Sequence, residues 1–435
     1  MTASHDISSL PLPQQLQHWA KVRPNDTALR QKKFGIWQTV TWSEYDRKSR
    51  WFGLGLIKLG LQRGQTVAVL SENCQEWVIA ELGIAMINCV TAGVYPTSPA
   101  AEVEYLLALS DAPIVVVEDQ EQVDKMLEVR ESYAALEHIY YDDPRGLRKY
   151  DESGLGSVDE LIASGEVFDK QHPHFFKEQV EVGTQHDVAA MFFTSGTTGN
   201  PKGVVHTHGT LIDRAQAGAE FDHLTSNEDV LAYLPPAWIG QNIFSYAQWL
   251  VAGYVVNCPE SMATVTIDLK EIGPTYYFAP PRVFEGMLTS VSIRMEDASS
   301  LKRSMYKYFM RLAKQVGPKR MDGESIGLFN SLMYALGNFF VFAPLRNNLG
   351  FSRVRVAYTA GEAIGPDLFT FYRSIGVNLK QLYGSTETAV FVCLQPDNQA
   401  RADTVGVPCR GVEIKVADNG EILVRSPGLL KGYYK

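Results

Sequence analysis

Short apolar runs alternate with helix-like segments near the start of the chain, and this alternation constrains the fold more than any other feature. The runs 67–70 and 113–118 predict buried strands, and residues 76–86 between them predict a helix. A second helix-like segment follows Ser98 and Pro99, with Ser98 the expected N-cap and Pro99 the first helical residue. Strands that alternate with helices pair in parallel through right-handed crossovers, so the sequence predicts an α/β protein.

The alternation resumes at 189–196 and at 354–364, whereas residues 142–187 are polar and predict a connector that carries short helices. The stretch 412–426 has two alternating runs around Asp418-Asn419-Gly420, which predicts an antiparallel hairpin. The C-terminal part of the chain is therefore expected to be antiparallel β-structure.

These patterns predict three parts. We expect a first α/β subdomain with its connector at 1–187, and a second at 188–352 that carries a helical insertion at 286–345. Residues 353–435 are expected to return to the α/β core and to end in a small β-barrel-like portion.

Composition excludes several classes of protein. Hydrophobic residues make up 45% and charged residues 20%, which is typical of a soluble globular protein and not of a disordered, collagen-like or multi-span membrane chain. The 40 basic and 49 acidic residues give a net charge of −9, so no nucleic-acid partner is predicted. The five cysteines are widely spaced, which indicates neither a disulfide framework nor a zinc site and favours the cytoplasm. No signal peptide is visible at the N-terminus.

One stretch is long enough to cross a membrane. Residues 326–345 carry no charge, but glycine, asparagine, serine and proline interrupt them. We therefore expect a buried helix and not a membrane span.

A loop rich in hydroxyl groups and glycine follows the apolar run that ends near Thr194. Residues 194–203 contain four hydroxyl side chains, three glycines and Lys202. Glycine lets backbone N–H groups approach an anion, hydroxyls add donors, and lysine adds a positive charge, so this loop is predicted to bind a polyphosphate. It is not a Walker loop, because Pro201 and Gly203 stand where that pattern needs glycine and a hydroxyl residue.

The loop 194–204 resembles the phosphate-loop signature of the adenylate-forming enzymes, which include acyl- and aryl-CoA synthetases. Residues 358–363 resemble the adenine-contacting turn of that family, and residues 383–388 resemble its tyrosine–threonine–glutamate motif. Gly420-Glu421-Ile422 and Gly432-Tyr433-Tyr434 resemble the strands that follow. The resemblance implies the fold of the family's large N-terminal domain.

The resemblance also implies a reaction and a set of binding residues. A carboxylic acid and ATP would form an acyl-adenylate and pyrophosphate, and CoA would then displace AMP to give a thioester. Lys202, Thr386 and Glu387 are the expected catalytic residues, and Glu387 with Thr194 would hold Mg²⁺. The residues expected to bind the nucleotide are Thr194, Ser195, Gly196, Thr197, Thr198, Gly199, Lys202, Gly361, Glu362, Ala363, Tyr383, Gly384, Ser385 and Thr386.

Two aromatic residues are candidates for the acyl channel. Trp238 stands where family members bring an aromatic residue or a histidine to the junction of acyl group and CoA. Tyr383 would either stack on adenine or line the channel.

The segment between Glu285 and Leu345 resembles an insertion of long-chain fatty acyl-CoA synthetases, which implies a long-chain fatty acid as substrate. Apolar residues recur at helical spacing within 301–320, and the same stretch has seven basic residues and no acidic one. Such a helix either binds an anionic membrane surface or CoA phosphates, or packs its apolar face on the protein. A peripheral location at the inner face of a membrane follows from the first alternative.

Several alternatives stay open at this stage. The chain stops at Lys435, before the ribose-binding aspartate and the C-terminal domain of the family, and is expected to be the N-terminal body of a longer enzyme. An aryl or medium-chain CoA ligase, or a fatty acyl-AMP ligase that serves a carrier protein, would carry the same motifs. A non-enzymatic protein that binds acyl groups and nucleotides is the third reading. The sequence predicts no oligomeric state.

Overall fold

The computed structural model of the chain describes residues 7–194 and 199–435, and it interleaves helices and strands as the sequence predicts. The strands are β1 (Thr27–Lys33), β2 (Ile36–Thr41), β3 (Thr66–Leu70), β4 (Val90–Val94), β5 (Ile114–Val117), β6 (His138–Tyr141), β7 (Leu155–Ser157), β8 (Val188–Thr194), β9 (Lys202–Thr207), β10 (Asp229–Leu231), β11 (Val255–Cys258), β12 (Tyr276–Phe278), β13 (Val356–Thr359), β14 (Leu379–Tyr383), β15 (Cys393–Leu394), β16 (Val407–Pro408), β17 (Glu413–Val416), β18 (Ile422–Arg425) and β19 (Gly432–Tyr434).

The helices surround two large sheets. They are α1 (Leu12–Val22), α2 (Trp42–Lys58), α3 (Gln75–Met86), α4 (Ala100–Ser110), α5 (Gln120–Ser132), α6 (Val158–Gln171), α7 (Phe175–Glu181), α8 (His208–Phe221), α9 (Ile239–Asn242), α10 (Gln248–Ala252), α11 (Val265–Ile272), α12 (Pro281–Glu296), α13 (Ser300–Met321), α14 (Leu328–Gly337), α15 (Ala343–Leu349) and α16 (Pro366–Ser374). Two π-helical turns, Ile243–Ala247 and Asn338–Phe342, join α9 to α10 and α14 to α15.

The first sheet has eight strands in the order β19-β9-β8-β4-β3-β5-β6-β7. The strands from β8 to β7 in this order pair in parallel, and every residue of β3, β4 and β5 is buried because helices cover both faces. The strands predicted at 67–70 and 113–118 are β3 and β5, so the predicted parallel α/β core is confirmed. At the other edge β9 and β19 add antiparallel strands.

The second sheet has nine strands in the order β16-β15-β14-β13-β12-β10-β11-β1-β2. Its central strands are parallel, while β2, β15 and β16 are antiparallel additions at the two edges. The sheets do not follow the expected subdomain boundaries. The division at 187/188 falls between β7 and β8 of one sheet, and β1 and β2 join a sheet made mainly of later strands. Whether 1–187, 188–352 and 353–435 fold as units stays a prediction.

The start of α4 differs from the prediction by one residue. Pro99 and not Ser98 is the N-cap, and the helix begins at Ala100. The Ser98 hydroxyl donates to the Glu102 carboxylate at 3.2 Å instead of capping a backbone N–H.

The C-terminal stretch contains the predicted hairpin, because β17 and β18 pair antiparallel across Asp418-Asn419-Gly420. Gly420 has φ +84°, the left-handed conformation that such a turn needs. The expected β-barrel-like portion is not found among the described residues. Instead β15 and β16 extend the nine-stranded sheet, β19 joins the eight-stranded one, and the hairpin stays a two-stranded sheet.

The prediction of a buried helix at 326–345 is wrong in its burial. The segment Leu328–Leu349 is helical and long and apolar enough to cross a membrane, yet only 17% of its most apolar stretch is buried. It contacts the protein on one side only, where Tyr334, Gly337 and Phe342 pack against neighbouring helices. The few polar residues of this stretch do not form a continuous polar face, so its sequence does not reveal how much of the helix is covered.

Two buried groups link stability to pH. His208, at the start of α8, is fully buried and this burial lowers its pKa to about 4, whereas burial raises the pKa of Glu81 on α3 to about 7. The folded state binds fewer protons at His208 than the unfolded state as pH falls from 6.5 to 4. The folded state binds more protons at Glu81 than the unfolded state between pH 4.5 and 7. Protonation of Glu81 therefore stabilises the fold as pH falls through this range and opposes the destabilising effect of His208.

Replacing His208 with glutamine should isolate the histidine contribution. We expect the free energy of unfolding of wild type, relative to H208Q, to fall by about 3 kcal/mol between pH 7 and pH 4, because a pKa lowered by about 2.5 units corresponds to about 1.36 kcal/mol per unit. Urea unfolding at several pH values measures this difference. The exposed His186 provides a control, and an equal pH effect in H186Q would contradict the assignment.

Candidate active site

The predicted phosphate loop connects β8 to β9, which are antiparallel neighbours. Thr194 at the end of β8 pairs with Lys202 at the start of β9, so both side chains stand at the mouth of the loop. The hydroxyl of Tyr105 on α4 donates to the Pro201 carbonyl at 3.1 Å and thereby fixes the end of the loop that leads into β9. The predicted binding residues Ser195, Gly196, Thr197 and Thr198 lie outside the described residues.

A cavity of about 660 Å³ opens beside this loop. Three separate motifs meet there: the loop ends, the turn after β13, and the motif after β14. Apart from Glu102 on α4, its other walls are mainly apolar and come from α4, β8, α9, β12 and β14. The predicted site residues that line it are Thr194, Lys202, Trp238, Gly361, Gly384, Ser385, Thr386 and Glu387.

The motif after β14 is a tight turn that needs glycine at position 384. A Cβ atom on Gly384 would lie 1.5 Å from the carbonyl oxygen of Val390, so no larger residue fits. Ser385 then caps a short 3₁₀ turn, Thr386–Thr388, and its backbone N–H donates to the Thr388 hydroxyl at 2.9 Å. This geometry presents Glu387 to the cavity.

Glu387, Tyr433 and Lys202 form a cluster at one side of the cavity. The Tyr433 hydroxyl donates to Oε1 of Glu387 at 3.1 Å, and the Lys202 Nζ lies 5.2 Å from the centre of the Tyr433 ring. Pairing of β19 with β9 brings Tyr433 to this position. Partial burial and the adjacent Glu387 carboxylate raise the pKa of the Tyr433 hydroxyl. Tyr433 therefore lies between the cation and the carboxylate that the sequence singled out.

His206 on β9 contacts the Thr386 backbone. Nε2 of this buried histidine lies 2.7 Å from the Thr386 carbonyl oxygen, and its Nδ1 lies 3.0 Å from the Thr210 hydroxyl. A carbonyl only accepts, so Nε2 carries the proton. Burial lowers the pKa of His206, which keeps the ring neutral and Nδ1 free to accept. The contact joins the phosphate-loop hairpin to the motif after β14.

A second cavity of about 500 Å³ adjoins the first and shares Gly361, Leu382 and Gly384 with it. Glu362, Ala363 and Tyr383 line this second cavity, together with residues 402–405. Gly361 turns the chain between the two cavities with φ +94°. The turn predicted to bind the nucleotide, 361–363, therefore adjoins the first cavity through Gly361, but Glu362 and Ala363 line the second cavity.

Trp238 is part of the apolar lining of the first cavity. It is half-buried and its ring stacks on Phe278 of β12, with ring centres 5.3 Å apart. Trp238 and Tyr383 line different cavities, so the structure does not bring the two predicted channel residues together.

The residues present fit a magnesium ion of the kind that binds with a nucleotide. No group of three or more histidine, cysteine or carboxylate side chains within 7–194 and 199–435 could hold a metal by itself. Mg²⁺ needs only one or two protein oxygens when phosphates and water complete its shell. Glu387 offers a carboxylate and Thr194 offers a hydroxyl, and both residues line the same cavity.

Sequence reasoning missed His206 and Tyr433 as contributors to this site. Tyr433 belongs to a stretch recognised only by resemblance, and His206 lies in an apolar strand. Their contacts join positions 46 and 180 residues apart, so no local pattern could reveal them.

Removing the Tyr433 hydroxyl should weaken the binding of ATP with Mg²⁺. The variant Tyr433→Phe keeps the ring beside Lys202 but leaves Glu387 without its donor, so we expect about three- to tenfold lower affinity. Tyr434→Phe is the matched control, because its hydroxyl donates to Asp111 outside the cavity. Calorimetric titration with MgATP measures both, and equal losses would show that the Glu387 contact is not responsible.

Comparison with known proteins identifies the class to which this fold and site belong. The profile of the AMP-binding enzyme family matches residues 16–434. The chain belongs to the AMP-binding enzyme family.

Curated relatives agree with this assignment. The chain is 27% identical to the long-chain-fatty-acid–CoA ligase ACSBG2 of Xenopus laevis, over 98% of this chain and 59% of the relative. It is 28% identical to the long-chain-fatty-acid–CoA ligase FadD15 of Mycobacterium bovis, over 92% of this chain and 64% of the relative. The chain thus spans about three fifths of the length of these relatives.

Solved structures show the same fold. The anthranilate CoA ligase AuaEII in complex with anthranoyl-AMP matches with a TM-score of 0.72 at 19% identity, over 100% of this chain and 72% of that one. The long-chain-fatty-acid–CoA ligase FadD1 of Archaeoglobus fulgidus matches with a TM-score of 0.71 at 18% identity, over 98% of this chain and 76% of that one. The predicted fold of adenylate-forming enzymes is confirmed.

Proposed function

We propose that the chain is the body of an ATP-dependent long-chain fatty acid–CoA ligase that forms an acyl-adenylate and then the CoA thioester. One observation carries the proposal. The same cavity is lined by the charged residues Lys202 and Glu387 and by apolar side chains that include Trp238, so it offers surfaces for a polyphosphate and for an acyl chain. Membership of the AMP-binding family supports ATP as the activating substrate.

The chemistry begins with two anions. The carboxylate oxygen attacks the α-phosphorus of ATP, a new P–O bond forms, and the bond to pyrophosphate breaks. Lys202 neutralises part of the phosphate charge, and the Thr386 region offers hydrogen-bond donors to the transferred group. His206 fixes the Thr386 backbone, so these donors do not reorganise during the reaction. The CoA sulfur then attacks the acyl carbonyl carbon, and AMP leaves.

Glu387 and Thr194 would hold Mg²⁺, which supplies charge neutralisation between the phosphates when it is bound. Tyr433 keeps the Glu387 carboxylate in one orientation in the free protein. Tyr383, with Glu362 and Ala363, supports an adenine position in the second cavity rather than a wall of the acyl channel.

The fatty acid is the substrate class that best suits the apolar lining of the cavity. Trp238 stacked on Phe278 forms a flat wall there, and the curated relatives named above are long-chain fatty acid ligases. Trp238 would gate access between the acyl space and CoA. An aryl or medium-chain ligase and a fatty acyl-AMP ligase that serves a carrier protein remain the alternatives.

We propose a cytoplasmic location with peripheral attachment to an anionic membrane through the region 301–320.

Product formation with a panel of acids tests this function. Palmitate, octanoate and benzoate are each incubated with ATP, Mg²⁺ and CoA, and thioester and AMP are quantified. We expect palmitate to give the highest kcat/KM. A preference for benzoate or octanoate would replace the substrate class, and accumulation of acyl-adenylate without thioester would favour transfer to a carrier protein. Binding of an acyl-adenylate analogue without any product would favour the non-enzymatic reading.

A further inference from the structure

The helical segment Leu328–Leu349 presents an uncovered apolar face to solvent. Its large apolar side chains recur at spacings of three, four and one residue, so they lie on one side of the helix. The exposed ones are Leu328 (92%), Phe329 (72%), Leu332 (61%), Leu336 (41%), Phe339 (72%) and Phe340 (53%). We name these six residues the α14 face. A soluble protein rarely leaves a continuous apolar surface of this kind without a partner.

The opposite side of the same segment is fixed to the protein. The Tyr334 hydroxyl donates to the Ser374 carbonyl at 2.9 Å, and Phe342 is fully buried. The Arg346 guanidinium donates to the Ile375 carbonyl, outside the segment. The segment of 22 residues is about 33 Å long, enough to cross a bilayer, but these contacts hold one side of it against the domain. It can therefore lie along a lipid surface and not across one.

The neighbouring helix α13 carries a row of exposed cations. Arg303, Lys307, Arg311 and Lys314 on α13 are exposed and recur every three or four residues, and residues 301–320 hold no acidic side chain. These positive charges stand out in a chain whose net charge is −9.

The apolar face and the cationic helix belong to one surface. Leu301 and Lys302 at the start of α13 line a groove of about 240 Å³ together with Phe340 of the α14 face. Leu301 and Tyr308 on α13 are themselves 71% and 55% exposed, which extends the apolar surface toward the cations. The α13–α14 hairpin thus combines exposed apolar side chains with positive charge and with no negative charge between 301 and 320.

We propose that the α13–α14 hairpin docks on an anionic lipid bilayer, with the α14 face in the outer part of the acyl region and the α13 cations at the lipid phosphates. Charge complementarity favours anionic lipid, because pairing of this face with the same face of a second copy would bring the α13 cations together. The proposed contact extends the one expected through 301–320, because the exposed apolar side chains lie mainly on the α14 face. Docking itself does not depend on the proposed function. Only its purpose does, since a membrane-bound ligase would reach a fatty acid that partitions into the bilayer.

Vesicle co-sedimentation of the purified chain tests the proposal. Vesicles of phosphatidylcholine, with and without phosphatidylserine, are mixed with wild type and with the double variant Phe329→Ser/Phe339→Ser. We expect wild type to bind the anionic vesicles and to be released by salt, and the double variant to bind at least about tenfold more weakly. Arg303→Glu/Lys307→Glu should lower affinity for anionic vesicles by a similar factor.

Phe34→Ser is the matched control, because Phe34 is 89% exposed on the turn between β1 and β2. It should bind vesicles like wild type. Absence of vesicle binding by wild type, or equal binding by the double variant, would overturn the proposal. A wild-type dimer that becomes monomeric in the double variant, without vesicle binding, would instead assign the face to self-association and overturn it too. Titration of every variant with an acyl-adenylate analogue reports separately on the proposed function, since these surface residues lie outside the cavity.

Discussion

Replacing Glu387 with glutamine is expected to abolish the Mg²⁺ dependence of ATP binding. The amide keeps the size of the side chain and can still accept from the Tyr433 hydroxyl, so the local packing should not change. It lacks the negative charge that Glu387, the proposed protein ligand, would supply to Mg²⁺. We expect the affinity for MgATP to fall about tenfold to hundredfold and to approach the affinity for ATP measured with chelator.

Calorimetric titration with ATP, in the presence of Mg²⁺ or of EDTA, measures this effect. Glu102 on α4 is the sharpest control, because its side chain lines the same cavity and accepts from the Ser98 hydroxyl. Glu102→Gln should keep the metal dependence. If Glu102→Gln loses it and Glu387→Gln retains it, the metal position has been assigned to the wrong carboxylate.

Replacing Lys202 with methionine is the second change with a large expected effect. Methionine keeps the length of the apolar stem and removes the charge at the mouth of the loop that we propose contacts the phosphates. Loss of a charge-assisted contact with phosphate should lower the affinity for ATP about tenfold to hundredfold, whereas the affinity for adenosine should stay within about twofold.

The comparison of ATP with adenosine separates a phosphate contact from a general disturbance of the site. Lys431→Met is the control, since Lys431 is exposed and its backbone, not its side chain, is bonded to Val205. An equal loss for both ligands in Lys202→Met would show that Lys202 supports the cavity without binding phosphate.

The fold could be predicted where local pattern decides the structure. The apolar runs of β3 and β5 are buried on both faces, which is why their sequence alone identifies them as strands of a parallel sheet. The hairpin at Asp418-Asn419-Gly420 is equally local, because the turn residues and the alternation stand side by side in the chain. The distribution of strands between the two sheets depends on contacts across hundreds of residues, and the sequence did not reveal it.

The candidate site shows the same division between local and distant contacts. The residue types at 194–203 predict phosphate binding, and residues 383–388 were singled out by resemblance. The structure places the described parts of both around one cavity. Tyr433 reaches Glu387 only because β19 pairs with β9, and His206 reaches Thr386 only because β9 lies beneath the turn. The exposure of the α14 face escaped prediction for another reason, since an apolar helix has the same composition whether protein or lipid covers it.

The central claim is that one cavity holds the nucleotide phosphate and the acyl chain together. Titration with a non-hydrolysable palmitoyl-adenylate analogue tests this claim most directly. We predict that wild type binds this analogue at least about tenfold more tightly than the octanoyl or benzoyl analogue, and that Trp238→Ala removes most of this preference while Lys202→Met weakens the acyl-adenylates alike. Equal affinity for all three analogues, or a chain-length preference that Trp238→Ala leaves unchanged, would contradict it.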